Sequence, residues 1–361
     1  MAISANTSVH SDKALIGRTT AELEQICLGL GERAFRGRQL ARWVYRRAAG
    51  NLAEMSDLPL AIRERLGTQH EVGLPSIARV LTARDGTEKF LLQLADAEHV
   101  ETVYLPYADR VSVCISTQVG CPAGCVFCAT GQSGWARNMT AGEIVGQILA
   151  VQRERPARRI SHVVLMGMGE PLFNYDEVVK AVRLLIHEVG ISPRRITLST
   201  VGVPEGIRKL AREDLPITLA ISLHAPDDDL RTKLIPTARK WKLAEILAAC
   251  REYVEVTRRN PTFEYLLLEG VNDHPRHAHA LAQVLGDLPG NVNLIPYNPV
   301  AAQEHFRRPN SRRIAAFREI LQKAGRITTQ RMERGLRIAA ACGQLRRVSV
   351  GAGPGRATAA A

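Results

Sequence analysis

The sequence predicts an α/β protein built around an open, partial barrel of six parallel strands. Beyond Arg110 a strand, a loop and a helix follow one another six times, with strands expected near residues 111–117, 162–166, 195–200, 217–223, 263–268 and 292–295. Such repeats are typical of parallel strands covered by helices, and a complete barrel of this kind uses eight. Six units therefore indicate a partial barrel, with active residues on the loops that follow the strands.

A helical module precedes the barrel. Residues 20–67 show helical periodicity, and Leu40, Trp43 and Val44 fall on one face of a predicted helix. Arginines recur on another face of the same helix, at positions 38, 42 and 46. Taken alone, this pattern fits a solvated charged helix as well as an RNA contact.

A β-hairpin lies between the helical module and the barrel. From residue 76 to residue 105 the sequence alternates between apolar and polar residues, and Asp85-Gly86 lies between segments 79–82 and 89–92. An Asp-Gly pair between two such segments is a strong hairpin signal. We therefore predict a small antiparallel sheet here.

Composition and charge limit the class of protein. The chain has 361 residues, 45% of them hydrophobic, which suggests one large domain with an appendage. Its 48 Lys and Arg residues against 36 Asp and Glu give a formal charge of +12, which favours a polyanionic partner. No segment reaches the roughly 18 apolar residues of a membrane span, and the first 20 residues contain no signal-peptide core. We expect a cytoplasmic protein, without a membrane partner, that is a monomer.

Arginine pairs recur along the chain, at 158–159, 307–308, 312–313 and 346–347 as well as within 33–47. Arginine binds phosphate oxygens in a bidentate manner, so these clusters suit a nucleic-acid backbone. A base that reacts within folded RNA must first leave its stack, which favours a single-stranded or unfolded RNA substrate.

Three cysteines lie within eight residues: Cys121, Cys125 and Cys128. Three thiolates can hold an iron–sulfur cluster and leave one iron open for chemistry, because no fourth ligand lies nearby. Structural zinc fits this spacing poorly, since zinc prefers four ligands and the nearest downstream histidine is His162. The clustering of an odd set of seven cysteines favours metal or catalytic use in a reducing compartment.

Six further segments carry a family resemblance. In chain order they read CISTQVGC at 114–121, MGMGEPL at 166–172, LST at 198–200, ISLHA at 221–225, NLIPYNP at 293–299 and AACGQL at 340–345. Together with the CxxxCxxC spacing they resemble the RlmN/Cfr family of radical S-adenosylmethionine (SAM) RNA adenine methyltransferases. They occur in the order of that family and span roughly residues 34–345, so chance is a poor explanation.

The resemblance implies a partial (β/α)6 radical SAM barrel with a small N-terminal helical domain and a β-hairpin extension. The corresponding division is a flexible N-terminus at 1–19, a helical RNA-binding accessory domain at 20–75, a small antiparallel sheet at 76–106, a radical SAM core at 107–347 and a disordered tail at 348–361.

It also implies an activity: methylation of C2 of an adenine in 23S rRNA, often also in tRNA, with two SAM molecules and a methyl-cysteine intermediate. Relatives similar to Cfr methylate C8 instead. The implied cofactors are SAM and a 4Fe–4S cluster held by Cys121, Cys125 and Cys128. The implied partners are RNA and a one-electron reductant such as a flavodoxin system.

The site residues implied by the resemblance are as follows. Cys342 carries the methyl group, Cys114 resolves the intermediate by forming a disulfide that a thioredoxin-like reductant resets, and Glu101 accepts a proton. SAM would contact Gly169, Glu170, Ser199, Ser222, Leu223, His224 and Asn298. Without the resemblance, His224 would be interpreted as an ordinary strand-end histidine and Glu101 as an exposed carboxylate.

One position departs from the family pattern. The family usually has an acidic residue in G-x-D-I-x-A-A-C, where this chain has Arg337. A Cfr-like C8 methyltransferase or a divergent paralogue with another RNA substrate is therefore an alternative. Two others are a radical SAM enzyme without methyl-cysteine chemistry and a non-enzymatic, metal-stabilised RNA-binding protein. Cys27 and Cys250 lie in apolar helical patterns and are expected to be buried hydrophobic residues.

Overall fold

The computed structural model describes residues 13–300, 305–332, 334–335 and 338–346. Its strands are β1 Ser76–Thr82, β2 Glu88–Gln93, β3 His99–Pro106, β4 Val111–Cys114, β5 Gln118–Gly120, β6 Trp135–Asn138, β7 His162–Leu165, β8 Ile196–Thr200, β9 Thr218–Ser222, β10 Thr262–Leu267, β11 Asn291–Pro296 and β12 Thr328–Gln330. Ten of them form one sheet in the order β1-β2-β3-β4-β7-β8-β9-β10-β11-β12, while β5 and β6 pair separately.

The six predicted parallel strands are present as β4, β7, β8, β9, β10 and β11, and each pairs in parallel with the next. Within the described residues the edge strands β1 and β12 do not pair with each other, so the barrel is open. The predicted fold class is confirmed. β12 adds a seventh parallel strand beside β11. This strand could not be predicted, because three residues are too few for an alternating pattern.

The antiparallel strands continue the barrel sheet and do not form a sheet of their own. β3 pairs with β4, with Val103 opposite Cys114. The predicted hairpin is present, and Gly86 at its turn has a φ of 77°, which favours glycine. The antiparallel strands predicted over residues 76–106 are present, and their sheet also joins the barrel, because the β4 edge needs a partner for its backbone groups and β3 supplies it.

The α-helices in the described ranges are α1 Thr20–Gly29, α2 Phe35–Ala41, α3 Leu60–Gln69, α4 Ala129–Gln132, α5 Ala141–Glu154, α6 Tyr175–Leu184, α7 Pro204–Ala211, α8 Asp228–Leu234, α9 Leu243–Thr257, α10 Pro275–Leu285 and α11 Ser311–Lys323. α2 and α6 continue as π-helical turns over Arg42–Arg46 and Leu185–Val189. Among the described residues, every helix is too short or too polar to cross a membrane.

The N-terminal helices share a continuous hydrophobic core with the barrel. Leu40, Trp43 and Val44 are buried together, as their helical spacing predicted. The Thr20 hydroxyl donates to the Glu188 carboxylate at 2.6 Å, which ties the start of α1 to the end of α6. The helical module is therefore packed firmly against the barrel.

The segment just before α1 is more ordered than the flexible N-terminus predicted for residues 1–19. Leu15 is 0% and Ile16 is 3% exposed. The Leu15 N–H donates to the Glu71 carbonyl at 2.8 Å, and the Ile16 N–H donates to the Val72 carbonyl at 3.0 Å. Burial of two large apolar side chains accounts for this order in residues 13–19. Residues 1–12, Arg337 and the predicted disordered tail at 348–361 lie outside the described residues.

We expect the substitution Leu15→Ala to lower the free energy of unfolding by about 2–5 kcal/mol, because it leaves a cavity in the shared core. Chemical denaturation of the two proteins measures this difference. Leu28 is 46% exposed, so Leu28→Ala is the matched control and should change stability by no more than about 0.5 kcal/mol. Equal stability of the two variants would mean that residues 13–19 do not pack as described.

Candidate active site

A cavity of about 150 Å³ lies at the carboxyl ends of the barrel strands. Parallel strands end at the same edge of a sheet, so the loops that follow them meet there. Nine of the predicted site residues line this cavity: Cys121, Cys125, Cys128, Gly169, Glu170, Ser199, Ser222, His224 and Cys342. The structure therefore brings together residues that lie more than 200 positions apart in the chain.

A smaller cavity of about 40 Å³ adjoins the first one. It is lined by Cys114 and Asn298, which the sequence predicted, and by Tyr107 and Arg334, which it did not. Cys342 lines both cavities. The proposed methyl carrier thus lies at their junction.

The loop that carries the three cysteines begins at Gly120. This residue has a φ of 82°, and an added Cβ would lie 2.0 Å from the Gly134 carbonyl oxygen, so only glycine fits. The Cys121 N–H donates to that same carbonyl at 3.0 Å. Cys125 packs in an apolar cluster with Phe127 and neighbouring residues. The loop is therefore fixed at its start and shielded from water in its middle.

The donor set suits an iron–sulfur cluster better than a single metal ion. Burial raises the pKa of the Cys121 thiol to about 12 and that of Cys125 well above its usual value, so both stay protonated until a cation replaces the proton. In the part of the chain that the structure describes, no three or more His, Cys, Asp or Glu side chains are grouped so that they could hold a single metal ion. A cluster binds its thiolates through separate irons and accepts a wider arrangement than tetrahedral zinc.

A buried arginine lies beneath the cysteine loop. Arg231 is 1% exposed, and its guanidinium donates to the Val201 carbonyl. Its Nε is buried without a hydrogen-bond partner among the described residues. Arg231 also interacts electrostatically with Cys125 and Glu170. A positive charge at this place would offset the negative charge that thiolate ligands bring to the site.

Glu170 presents a carboxyl group between β7 and β8. It is 2% exposed and accepts hydrogen bonds from the N–H groups of Leu172 at 3.0 Å and Val201 at 2.7 Å. Burial raises its pKa to about 7. Gly169 precedes it with a φ of 105°, and an added Cβ would lie 2.7 Å from the Gln118 nitrogen. This turn therefore holds an oriented acceptor that suits an ammonium group.

His224 adds a neutral ring to the same cavity. Its Nδ1 accepts a hydrogen bond from the Leu266 N–H at 3.0 Å, so the ring proton is assigned to Nε2. Burial lowers its pKa to about 3, which keeps the imidazole uncharged. The hydroxyls of Ser199 and Ser222 lie 3.4 Å apart on the neighbouring strands. These uncharged donors and acceptors suit the polar, uncharged part of a ligand.

The C-terminal segment, residues 338–346, brings Cys342 to the barrel. The Ala129 N–H donates to the Gly343 carbonyl at 2.7 Å, and the Thr130 hydroxyl donates to the Leu345 carbonyl. Cys114 and Cys342 are both free thiols that face the smaller cavity. Burial raises the pKa of Cys114 to about 12, and the neighbouring Cys342 adds to this effect.

Glu101 lines neither cavity and instead anchors this segment. Its Oε1 lies 2.8 Å from the Lys89 Nζ, and its Oε2 accepts a hydrogen bond from the Arg346 N–H at 2.9 Å. Lys89 also donates to the Ala339 carbonyl at 3.1 Å. The two side chains are buried, at 6% and 9% exposure. This ion pair, here called the latch pair, holds the segment on both sides of Cys342.

Leu223 lies at the end of β9, but its side chain is buried in the main core and lines neither cavity. The sequence did not predict two charged residues that line the cavity of about 150 Å³: Glu264 and Arg331. Glu264 is an acid within an apolar strand, a pattern that could have flagged it. Arg331 follows the three-residue strand β12 and left no such signal.

Cys27 and Cys250 lie away from both cavities and are 1% and 0% exposed. The structure confirms that they are buried hydrophobic residues.

We expect Cys125→Ser to lose most of the iron and sulfide, because a buried hydroxyl is a poor substitute for a thiolate ligand. Iron and sulfide analysis after anaerobic reconstitution measures the loss. Cys250→Ser is the matched control, since Cys250 is equally buried but distant, and it should retain the wild-type content. Full iron in the Cys125 variant would exclude this residue as a ligand.

Lys89→Met should loosen the C-terminal segment, because it leaves the Glu101 carboxylate buried without its cation. We expect faster hydrogen–deuterium exchange at residues 338–346. The free energy of unfolding should fall by about 3–5 kcal/mol, as expected when one partner of a buried ion pair is removed. Lys323→Met is the control, because Lys323 pairs with Glu319 on the surface. Unchanged exchange in the Lys89 variant would contradict the anchoring role of the latch pair.

Comparison with known families agrees with this geometry. The Radical SAM superfamily profile matches residues 115–282, and the profile of the ribosomal RNA large subunit methyltransferase N-terminal domain matches residues 13–72. A radical SAM methyltransferase from Sphaerobacter thermophilus of known structure superposes with a TM-score of 0.89 at 46% identity, covering 92% of this chain and 99% of that one.

Two curated relatives are similar over nearly the whole chain. A probable dual-specificity RNA methyltransferase RlmN from Gloeobacter violaceus is 51% identical, covering 93% of this chain and 96% of the relative. A protein of the same description from Symbiobacterium thermophilum is 50% identical, covering 92% and 91%. The implied cofactors, a 4Fe–4S cluster and SAM, are thereby confirmed. The chain belongs to the RlmN family of radical SAM methyltransferases.

Proposed function

We propose that this protein methylates C2 of an adenine in 23S rRNA, and also in tRNA, through a methyl-cysteine intermediate and two SAM molecules. The observation that supports this most strongly is the position of Cys342, which lines both the cavity of the three cysteines and the cavity of Cys114. The relatives' description as dual-specificity RNA methyltransferases supports RNA as the substrate.

The target carbon explains why such a site is needed. C2 of adenine is neither acidic nor nucleophilic, so direct displacement of a methyl group from SAM has no usable partner. A 4Fe–4S cluster and SAM, when bound, would supply a radical that avoids this obstacle. Cys121, Cys125 and Cys128 would hold the cluster, while Glu170 would accept hydrogen bonds from the amino group of SAM.

Cys342 first takes a methyl group from one SAM molecule, and S-adenosylhomocysteine leaves as the new carbon–sulfur bond forms. The S-methyl group would then lose a hydrogen atom to the radical that SAM supplies, and its carbon would bond to C2 of the adenine, which leaves the unpaired electron on the base. This joins protein and RNA covalently. The position of Cys342 at the junction of the two cavities would present its methyl group to both the SAM side and the RNA side.

Glu101 and Cys114 complete the reaction. For the proton of C2 we retain Glu101, the acceptor implied by the family resemblance. Its carboxylate lies outside both cavities in the latch pair, so the substrate would have to bring C2 to it. The carboxylate accepts two of the about four hydrogen bonds that its oxygens can take and so keeps lone pairs for the proton.

The Cys114 thiolate would attack the sulfur of Cys342, so that a disulfide forms as the bond from that sulfur to the methylene carbon breaks. That carbon would take up a proton to become the methyl group, and the unpaired electron would pass back to the cluster. A thioredoxin-like dithiol resets the disulfide, and a flavodoxin-like protein would supply electrons to the cluster.

A reducing, cytoplasmic compartment suits the free thiols and the cluster, and we infer that the protein acts there as a monomer.

Product analysis tests this function. After anaerobic incubation of the reconstituted protein with SAM, reductant and unmodified 23S rRNA, mass spectrometry of the digested RNA should show 2-methyladenosine. Finding 8-methyladenosine would identify a Cfr-like activity instead. Absence of any methylated adenosine, with active cluster and cleaved SAM, would reject an rRNA substrate.

The two reacting cysteines should fail in different ways. Cys342→Ala should abolish methyl transfer yet spare SAM cleavage, because it removes only the methyl carrier. Cys114→Ala should accumulate a protein–RNA adduct on denaturing gels, since the step that frees the RNA is lost. Cys27→Ala is the control and should turn over normally. Normal turnover in either of the first two variants would reject the two-cysteine mechanism.

A further inference from the structure

Three chain segments meet at one corner of the molecule, beside the smaller cavity. They are the β1–β2 turn at 83–87, the β3–β4 turn at 107–110 and residues 334–335 near the C-terminus. The Gly335 N–H donates to the Asp85 carboxylate at 3.2 Å, and the Arg334 guanidinium donates to the Pro106 carbonyl. We call the set of Arg84, Tyr107, Arg110, Arg158 and Arg334 the arginine corner.

Tyr107 lies between two guanidinium groups. The Cζ of Arg110 is 4.3 Å from the centroid of its ring, and the Cζ of Arg334 is 4.4 Å from it. The negative faces of an aromatic ring attract cations, which offsets the repulsion between two arginines held this close together. The pair of positive charges is therefore preorganised before any ligand binds.

Arg158 braces the turn that presents this stack. Its Nη2 donates to the carbonyls of Tyr107 at 2.7 Å and of Arg110 at 3.3 Å. These backbone contacts leave its positive charge uncompensated by a carboxylate in the turn. A charged and rigid β3–β4 turn follows from this arrangement.

The two turns themselves carry two arginines and two aspartates, so the positive excess of the corner comes from Arg158 and Arg334. Asp85 accepts hydrogen bonds from the backbone N–H groups of Thr87 and Gly335, while Asp109 lies 3.2 Å from Arg110 on the surface. The corner thus has four arginines against these two carboxylates. The surface therefore suits a polyanion, and surface pairs such as that of Asp109 are easily exchanged for another anion.

The corner also borders the reacting residues. Tyr107 and Arg334 line the smaller cavity together with Cys114 and Cys342. We propose that the arginine corner binds the phosphates that flank the target nucleotide, on a single-stranded stretch of RNA, and so delivers the adenine to Cys342. Guanidinium planes stack on unpaired bases as well as binding phosphates, which favours a single strand over a duplex. This inference rests on the proposed function, because it assumes an RNA substrate.

Fluorescence anisotropy tests it, with a labelled single-stranded RNA oligonucleotide rich in adenine and the reconstituted holoenzyme. The dissociation constant is measured over a series of salt concentrations for the wild type, Arg110→Gln, Arg334→Gln and the double variant. Each lost phosphate contact should reduce the slope of log K against log salt by about 0.7. The slope for the double variant should therefore be smaller by about 1.4, and this variant should bind RNA more weakly at every salt concentration.

Arg251→Gln is the matched control. Arg251 and Arg110 have similarly exposed side chains, 43% and 40%, and each pairs with one surface aspartate. The control should keep the wild-type slope, and thermal melting should show that Arg110→Gln is folded even if Arg334→Gln is less stable.

The outcomes separate this inference from the proposed function. A wild type that methylates RNA, together with an unchanged salt slope in Arg110→Gln and the double variant, would overturn the inference alone. Reduced slopes with no methylated product would support the corner as an RNA-binding surface and count against the proposed function. If Arg251→Gln reduced the salt slope as much as Arg110→Gln, the inference would be overturned, because any surface arginine would then contribute equally to RNA binding.

Discussion

The active site depends on the contact between the cysteine loop and the C-terminal segment. The Ala129 N–H to Gly343 carbonyl bond, at 2.7 Å, joins residues that are more than 200 positions apart. The latch pair of Lys89 and Glu101 holds the same segment from the opposite side. Without these bonds Cys342 would not line both cavities.

Burial controls the ionisation of the groups at this contact. Loss of water raises the pKa of Cys121 to about 12 and that of Glu170 to about 7, and it lowers that of His224 to about 3. Each group thus favours its neutral form until a ligand or metal provides the opposite charge. The buried Arg231 is already in place as a cation beneath the loop. A site prepared in this way suits a cofactor that brings its own positive irons and a charged sulfonium ligand.

Much of the fold could be predicted because it repeats in the sequence. The six parallel strands show apolar runs between helices, whereas β12 has three residues and gives no pattern. The grouping of Cys121, Cys125 and Cys128 could be predicted from their spacing, and they do line one cavity, whereas the other candidate residues depended on the family resemblance. The partners of Glu101 could not be predicted, because Arg346 reaches it through a backbone N–H and across 245 positions of sequence. Leu223 faces the core because strand residues alternate between the two sides.

The central claim is that Cys342 brings its methyl group to the radical generated at the three-cysteine site. Isotope transfer tests this claim most directly. The reconstituted protein is supplied with SAM whose methyl group carries three deuterium atoms, together with reductant and RNA. We predict that the 5′-deoxyadenosine contains one deuterium and that the methyl group on adenine retains two. Unlabelled 5′-deoxyadenosine accompanying methylated RNA would show that the hydrogen comes from elsewhere and would contradict the account.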